Sequence, residues 1–195
     1  MRIIVPAADL AQICKLCDAG ADDIYIGFFD EMWSKKFGVF SELNRMSSFG
    51  AKANFASELV SEAIFITHSK GRKLYITLNS PAYSLAEIQT VLELIDRYQM
   101  WACDGFIVSD ISMIALTGRG YHIKLSTMAG AYNDKIVSFY KKMGVHDIIL
   151  PRDVTIDAME RIVNKHSDVN FEAFLMRNGC RYSDSNCLAF HDRKY

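Results

Sequence analysis

No apolar run in this chain approaches the roughly 20 residues a helix needs to cross a bilayer. The opening "MRIIVPAADL" is too short an apolar stretch for a signal peptide and reads as a strand running into a helix. Charge of one sign is missing too. Lys and Arg number 22 against 23 Asp and Glu, a net of −1. That balance argues against a surface that coats nucleic acid generally, while a local basic groove stays open. Five cysteines are an odd number, and free thiols are normal in a reducing compartment. No glycine-rich fingerprint follows the first strand, which ends "VPAADL", so a dinucleotide-type open sheet loses its main support. The chain also lacks H-E-x-x-H and a G-x-S-x-G elbow, which leaves a Ser–His–Asp hydrolase with little support. The expectation is a soluble, cytoplasmic protein. Its 195 residues fit one domain, and 50% are apolar or aromatic, enough for a sizeable core.

What is present is alternation. Short β-branched runs, "RIIVP" (2–6), "DIYIG" (23–27), "KLYITLN" (73–79), "GFIVSD" (105–110), "HIKLST" (122–127), "DIILP" (147–151) and "NFEAFLM" (170–176), read as strands. Stretches of helical period lie between them, at 8–19, 56–69, 85–99, 111–117, 133–143 and 155–166. In the first, Leu10, Ile13, Cys14 and Cys17 share one face; in the third, Ile88, Val91, Leu92 and Ile95 do. Strict β-α alternation implies a parallel sheet with right-handed crossovers. Seven such units predict an α/β fold of the (β/α) TIM-like barrel kind. A complete eight-unit barrel takes about 250 residues, so this one is expected to be incomplete or truncated. The barrel domain is read over 1–176 and a cysteine-containing C-terminal segment over 177–195. The insert 28–55, rich in Ser, Lys, Phe and Asn, is placed to cover the barrel mouth.

In a parallel barrel the active site forms where the βα loops converge, at the C-terminal ends of the strands. Those ends carry Pro6 and Asp9, Gly27, Asn79, Ser109 and Asp110, Ser126 and Thr127, Pro151 and Arg152, then Met176 to Cys180. Asp110 and Asp153 are equally readable as caps of the following helices. Arg152 can pair with a surface carboxylate, but a guanidinium at a barrel mouth suits a substrate carboxylate or phosphate. Glu172 shares inward parity with Phe174 and Met176, and a carboxylate there needs a partner, expected to be Arg152 or a ligand. His68, His122, His146 and His166 fall near the opposite ends or on outer helices, and only His191 is placed for the catalytic face.

The cysteines separate into two kinds. Cys14 and Cys17 form a C-x-x-C, but both fall on the core face of the first helix, where free cysteines behave as small apolar residues. Cys103 has the same bland reading. Cys180 and Cys187 instead sit in the polar segment "NGCRYSDSNCLAFHDRKY", which has no packing reason to hold thiols. Thiolates presented from such loops bind soft metals or iron–sulfur clusters. A tetrahedral or cluster site needs four ligands, and His191 is a candidate third.

Taken together, "VPAADL", "GADDIYIG", "KANFASELVSEAI", "GRKLYITLN", "DGFIVSDISMI", "LSTMAGAYN", "GVHDIILPRDVTIDAMERI" and "FEAF…GCRYSDSNC" resemble, in order and spacing, the collagenase-like peptidase family, the thirty-second family of peptidases of unknown mechanism. The resemblance implies a (β/α) barrel whose last strand leads into a C-x6-C segment. It implies that Cys180 and Cys187 are the first two of four ligands to an iron–sulfur cluster. It also implies that Asn79, Asp110, Arg152 and Glu172 are catalytic positions and that Ser126, Thr127, Asn133 and Asn54 bind substrate. Branches of the family support oxygen-independent hydroxylation of quinone precursors, tRNA or ribosomal RNA, and others are described as collagen-degrading peptidases. This chain departs from common members in having Met176, Arg177 and Asn178 where they carry a histidine and small residues. The remaining two ligands are expected from further chain or from a partner.

Three functions follow as expectations. The first is a barrel enzyme for iron–sulfur-dependent hydroxylation of RNA or a small aromatic precursor. The second is a peptidase, with Cys180 and His191 as the available nucleophile and base. The third is a ligand-binding or accessory subunit without catalysis. The expected partners are a small anionic substrate, a peptide or RNA, and a partner subunit or second copy completing the barrel, with no membrane.

Overall fold

The computed structural model describes residues 1–38, 41–45, 54–176 and 183–186. Strands and helices alternate along them: β1 (Ile4–Pro6), α1 (Leu10–Asp18), β2 (Asp23–Ile26), β3 (Phe28–Phe29), α2 (Glu31–Phe37), β4 (Phe55–Ala56), α3 (Val60–Ser69), β5 (Lys73–Leu78), α4 (Leu85–Arg97), β6 (Gly105–Val108), β7 (Ile123–Leu125), α5 (Asp134–Lys142), β8 (Asp147–Ile149), α6 (Ile156–Lys165) and β9 (Asn170–Glu172). The seven expected strands form one sheet in the order β1-β2-β5-β6-β7-β8-β9. Pairing is parallel where β1 meets β2, β2 meets β5, β7 meets β8 and β8 meets β9. Spatial order that repeats chain order, with crossovers between parallel strands, makes the fold an incomplete (β/α) barrel. The described residues divide into two compact units, Met1–Phe106 and those from Ile107 onward.

In the first unit the side-chain period of two separates two faces. Ile24 and Ile26 on β2 stand beside Leu74 and Ile76 on β5, all fully buried. The alternate positions are polar or aromatic: Asp23 and Tyr25, then Tyr75 and Thr77. Asp9 caps α1, its carboxylate accepting from Gln12 N at 2.8 Å. Ser84 and Glu87 close a reciprocal capping box on α4. The insert holds more structure than its composition announces. Phe28–Phe29 pairs with Phe55–Ala56 as a second, two-stranded sheet, and α2 between them buries Trp33. Trp33 Nε1 donates to Ser41 O at 3.0 Å.

In the second unit, Leu125 and Ile148 are fully buried on one face of the sheet. The other face carries Lys124 and Asp147 in register, followed by Ile149 beside Glu172. Two expectations change here. Residues 111–117 belong to a 3-10 stretch, Ile111–Arg119, and not an α-helix. The strand expected over 170–176 stops at Glu172. Its last ladder bond runs from Leu150 N to Glu172 O at 2.8 Å. In a parallel ladder the next donor on that side is Arg152 N, and this N–H goes instead to Asp184 Oδ2 at 3.0 Å. Beyond that point Leu175 and Met176 are exposed, so Met176 does not face inward as its parity predicted.

Candidate active site at the strand ends

The first unit brings asparagines to the C-terminal ends of β2 and β5. Asn79 follows β5, and its Oδ1 accepts from Arg45 N at 3.0 Å. Asn44, fully buried, donates from Nδ2 to Phe28 O at 2.9 Å. Tyr83 hydroxyl donates to Leu43 O. Through these bonds residues 43–45 of the insert are tied to the residues that follow β5 and to β3. Asn54 is buried beside β4. One residue passed over in the sequence is Asp30, 3% exposed, which receives Trp33 N at 2.8 Å, Ser57 Oγ at 2.9 Å and Tyr98 hydroxyl at 3.2 Å. Its signal was an Asp directly before a helical stretch, an N-cap pattern. Three donors satisfy its buried side-chain oxygens, which is a structural arrangement.

In the second unit the expected residues arrive at the strand ends, several with backbone partners. Asp110 Oδ1 accepts from Ser112 N at 2.8 Å and Ser112 Oγ at 2.7 Å, opening the 3-10 stretch. Ser126, buried, accepts from Met128 N at 3.4 Å. Thr127 is buried next to it. Asn133 caps α5, accepting from Lys135 N at 3.0 Å and Ile136 N at 3.1 Å. Asp153 does not cap α6; Thr155 does, accepting from Ala158 N at 3.3 Å.

Glu172 is paired, but not with Arg152. Its Oε1 meets Lys124 Nζ. Lys124 leaves β7 on the inner face and reaches over β8 to the end of β9, and its side chain is 5% exposed against 23% for Glu172. Sequence reasoning missed Lys124; its signal was a lone lysine in the middle of "HIKLST", at the parity of Ser126. Taking both groups out of water is costly unless they meet, so the pair keeps the Glu172 carboxylate oriented at the end of β9. Arg152 is engaged elsewhere. Nη1 lies 3.5 Å from Asp184 Oδ1, and the guanidinium carbon lies 4.3 Å from the centre of the Phe174 ring. Beside it, Tyr132 hydroxyl bonds Ser183 Oγ and accepts from Ser185 Oγ at 3.1 Å. The turn 183–186 therefore rests on the loops that follow β7 and β8.

Two of the described cysteines, Cys17 and Cys103, are poor ligands. Burial pushes the Cys17 thiol up and the Cys103 thiol up to about 12, which keeps both protonated at neutral pH. Cys17 packs in the core as expected. Two histidines meet carboxylates at the N-terminal ends of strands: His68 bonds Asp104 at 2.8 Å, and His122 meets Asp147 at 3.3 Å. Burial raises the Asp147 carboxyl, but the hydrogen bond and charge of His122 outweigh it and hold it below its ordinary value. Among the described residues no three His, Cys, Asp or Glu side chains gather as a metal site. Cys180, Cys187 and His191 lie outside the described residues. No helix among the described residues is long and apolar enough to cross a membrane.

Comparison with known proteins gives this arrangement a family. The chain is 28% identical over 190 residues to tRNA hydroxylation protein P of Escherichia coli, covering 96% of this chain and 38% of that protein. It is 25% identical over 162 residues to a collagenase of Porphyromonas gingivalis, covering 83% of this chain and 35% of that one. The chain thus spans well under half the length of these curated relatives. Among solved structures it is similar to the U32 peptidase Mk0906, with a TM-score of 0.65 at 10% identity over 89% of this chain and 67% of that one, a likeness of fold. A sequence profile of peptidase family U32 matches residues 8–191. The chain belongs to peptidase family U32.

Proposed function

We propose that this chain is the barrel part of an RNA-hydroxylating enzyme, with Cys180 and Cys187 as two of the ligands of an iron–sulfur cluster beside the rim of the second unit. One observation carries the reading: the turn 183–186 rests on Tyr132 and Arg152, beyond the C-terminal ends of β7 and β8. Cys180 precedes that turn by three residues and Cys187 adjoins it. Donor chemistry points the same way, because desolvation raises the Cys17 and Cys103 thiols while the C-x6-C pair stands in a polar segment.

A bound cluster supplies one-electron chemistry that no side chain here can. The chain's own residues handle the substrate. Glu172, oriented by Lys124, accepts a hydrogen bond from a substrate N–H or O–H at its carboxylate. Ser126 and Thr127 offer hydroxyls on the same rim, and Arg152 places positive charge there for an anionic group. In the first unit, Asn79 and the buried Asn54 are the polar candidates for binding, and in the second Asp110 and Asn133 shape the loops. The similarity to a tRNA hydroxylation protein favours RNA over a small aromatic precursor. Reduced thiolates suit a cytoplasmic location.

A peptidase is the second reading, favoured by the similarity to a collagenase. It requires a nucleophile next to a base. His68 and His122 hydrogen-bond carboxylates at the strand ends opposite the rim, so Cys180 with His191 would have to serve. The deciding experiment is anaerobic loading of the purified chain with ferrous iron and sulfide, with dithiothreitol present to supply the two thiolate ligands beyond Cys180 and Cys187. Bound iron with broad visible absorption is expected, lost in Cys180→Ser with Cys187→Ser and kept when Cys14, Cys17 and Cys103 are replaced. No bound iron, or iron that survives loss of Cys180 and Cys187, overturns the reading.

A further inference from the structure

Three carboxylates of the first unit that are largely withdrawn from solvent are hydrogen-bonded. Asp23, its side chain 6% exposed, receives Arg2 Nη2 at 2.6 Å and Nε at 3.2 Å. Asp104 receives Leu74 N at 2.8 Å and meets His68 Nε2 at 2.8 Å. Asp30 has the three donors already described. Glu42 breaks this pattern. Its side chain is 18% exposed, and it accepts no hydrogen bond among the described residues. Its ion contact is Arg45 Nη1 at 3.9 Å, itself 19% exposed and beyond hydrogen-bond reach. The contrast with Glu31 and Lys35 is plain: that pair, 79% and 77% exposed, leaves its carboxylate to water. Withdrawing a carboxyl group from water without a donor is costly. Burial accordingly raises the Glu42 carboxyl, and the charge of Arg45 opposes this only in part.

The segment cannot relieve that cost by turning over, because the residues around Glu42 are fastened. Ser41 O receives Trp33 Nε1 at 3.0 Å, and Ser41 Oγ donates to Glu87. Leu43, 2% exposed, has its carbonyl on the Tyr83 hydroxyl. Asn44, fully buried, donates to Phe28 O at 2.9 Å. Arg45 N donates to Asn79 Oδ1 at 3.0 Å. That last bond also fixes the Asn79 amide, whose Oδ1 is the accepting end and Nδ2 the donating end. Where the chain leaves β5 there are thus an acceptor, Glu42, and a donor amide, Asn79, both joined to Arg45. A nucleobase edge offers the converse pattern, an N–H donor next to an acceptor.

We propose that Glu42 is a substrate-binding residue: its carboxyl group accepts the N–H of a nucleobase held beside Asn79, where the chain leaves β5. A base entering there supplies the hydrogen bond that Glu42 lacks, so the cost of burying the carboxyl is recovered only in the complex. The inference rests on the reading of the strand ends as the place where RNA is handled. It adds the group that reads a base edge in the first unit. It needs no cluster, so its test is separate from that of iron binding.

The test is a titration of the whole chain, carrying carboxyl-labelled glutamate, with uridine, cytidine and adenosine as probes, followed by carbon NMR. At least one of them is expected to shift the Glu42 carboxyl signal on saturation. Its counterpart without the base N–H (3-methyluridine, dimethylated cytidine or dimethylated adenosine) should bind at least about tenfold more weakly. Glu42→Ala should weaken the same nucleoside by a similar factor, whereas Glu31→Gln, on an exposed helix face, should not change it. Amide signals of Leu43 and Asn44 that keep their positions in Glu42→Ala separate lost binding from lost folding. Three results overturn the proposal: no nucleoside binds, the methylated counterpart binds equally well, or Glu42→Ala binds as the parent does. Nucleoside binding through Glu42 in a chain that takes up no iron leaves this site standing and removes the cluster reading. Iron uptake without any nucleoside effect does the reverse.

Discussion

Lys124 and Glu172 sit on strands that are not neighbours, since β8 runs between them. Their ion pair is therefore not needed to close the sheet, whose ladders already join β7 to β8 and β8 to β9. A buried pair of this sort contributes little net stability against an apolar replacement, yet removing one partner strands the other charge. Lys124→Met is expected to destabilise the chain by about 3 kcal/mol, the low end of the usual range because Glu172 keeps some solvent contact. Lys124→Met with Glu172→Leu should recover most of that loss. Urea unfolding of the two variants measures it. Recovery would mean that the pair is kept for what Glu172 does at the rim. A double variant as unstable as the single one would make the pair a structural brace.

At the level of elements, caps decide several residues that the sequence left open between capping and catalysis. Asp110 and Asn133 both hold backbone N–H groups at the start of the following element. Asp153 does not, because Thr155 holds the N-terminus of α6. Thr155→Ala is expected to cost about 1 kcal/mol and Asp153→Ala close to nothing, a contrast that thermal unfolding resolves. The strands and main helices were legible because period two and period 3.6 are written in their apolar residues; Leu74, Ile76 and Leu78 mark β5 plainly. Helix α2 was not, since it buries Trp33 alone. The end of β9 was not either, because it is set by Asp184, a residue far along the chain that takes the N–H of Arg152. The partner of Glu172 could not be read for the same reason. Parity shows that Lys124 faces inward, but not that its stem reaches across a whole strand.

The molecule as a whole adds an electrostatic constraint. RNA binding that depends on phosphate neutralisation needs clustered Lys and Arg, and affinity then falls steeply with salt. This chain carries one more acidic than basic group and a sequence pI near 6.5. It also spans 38% of the length of the tRNA hydroxylation protein it matches. Recognition of RNA by such a relative can draw on surface outside the matched part. Unselective binding of single-stranded RNA by this chain is thus expected to be no tighter than about 10⁻⁴ M at physiological salt, with a log–log salt slope corresponding to roughly three phosphates or fewer. Filter binding across a salt series measures both. A tight and steeply salt-dependent isotherm would show that a basic groove on the barrel itself holds the phosphate backbone, and would move RNA recognition into residues 1–195. Weak binding with a shallow slope, together with iron uptake that depends on Cys180 and Cys187, would leave the barrel with the chemistry and assign the grip on RNA to other surface.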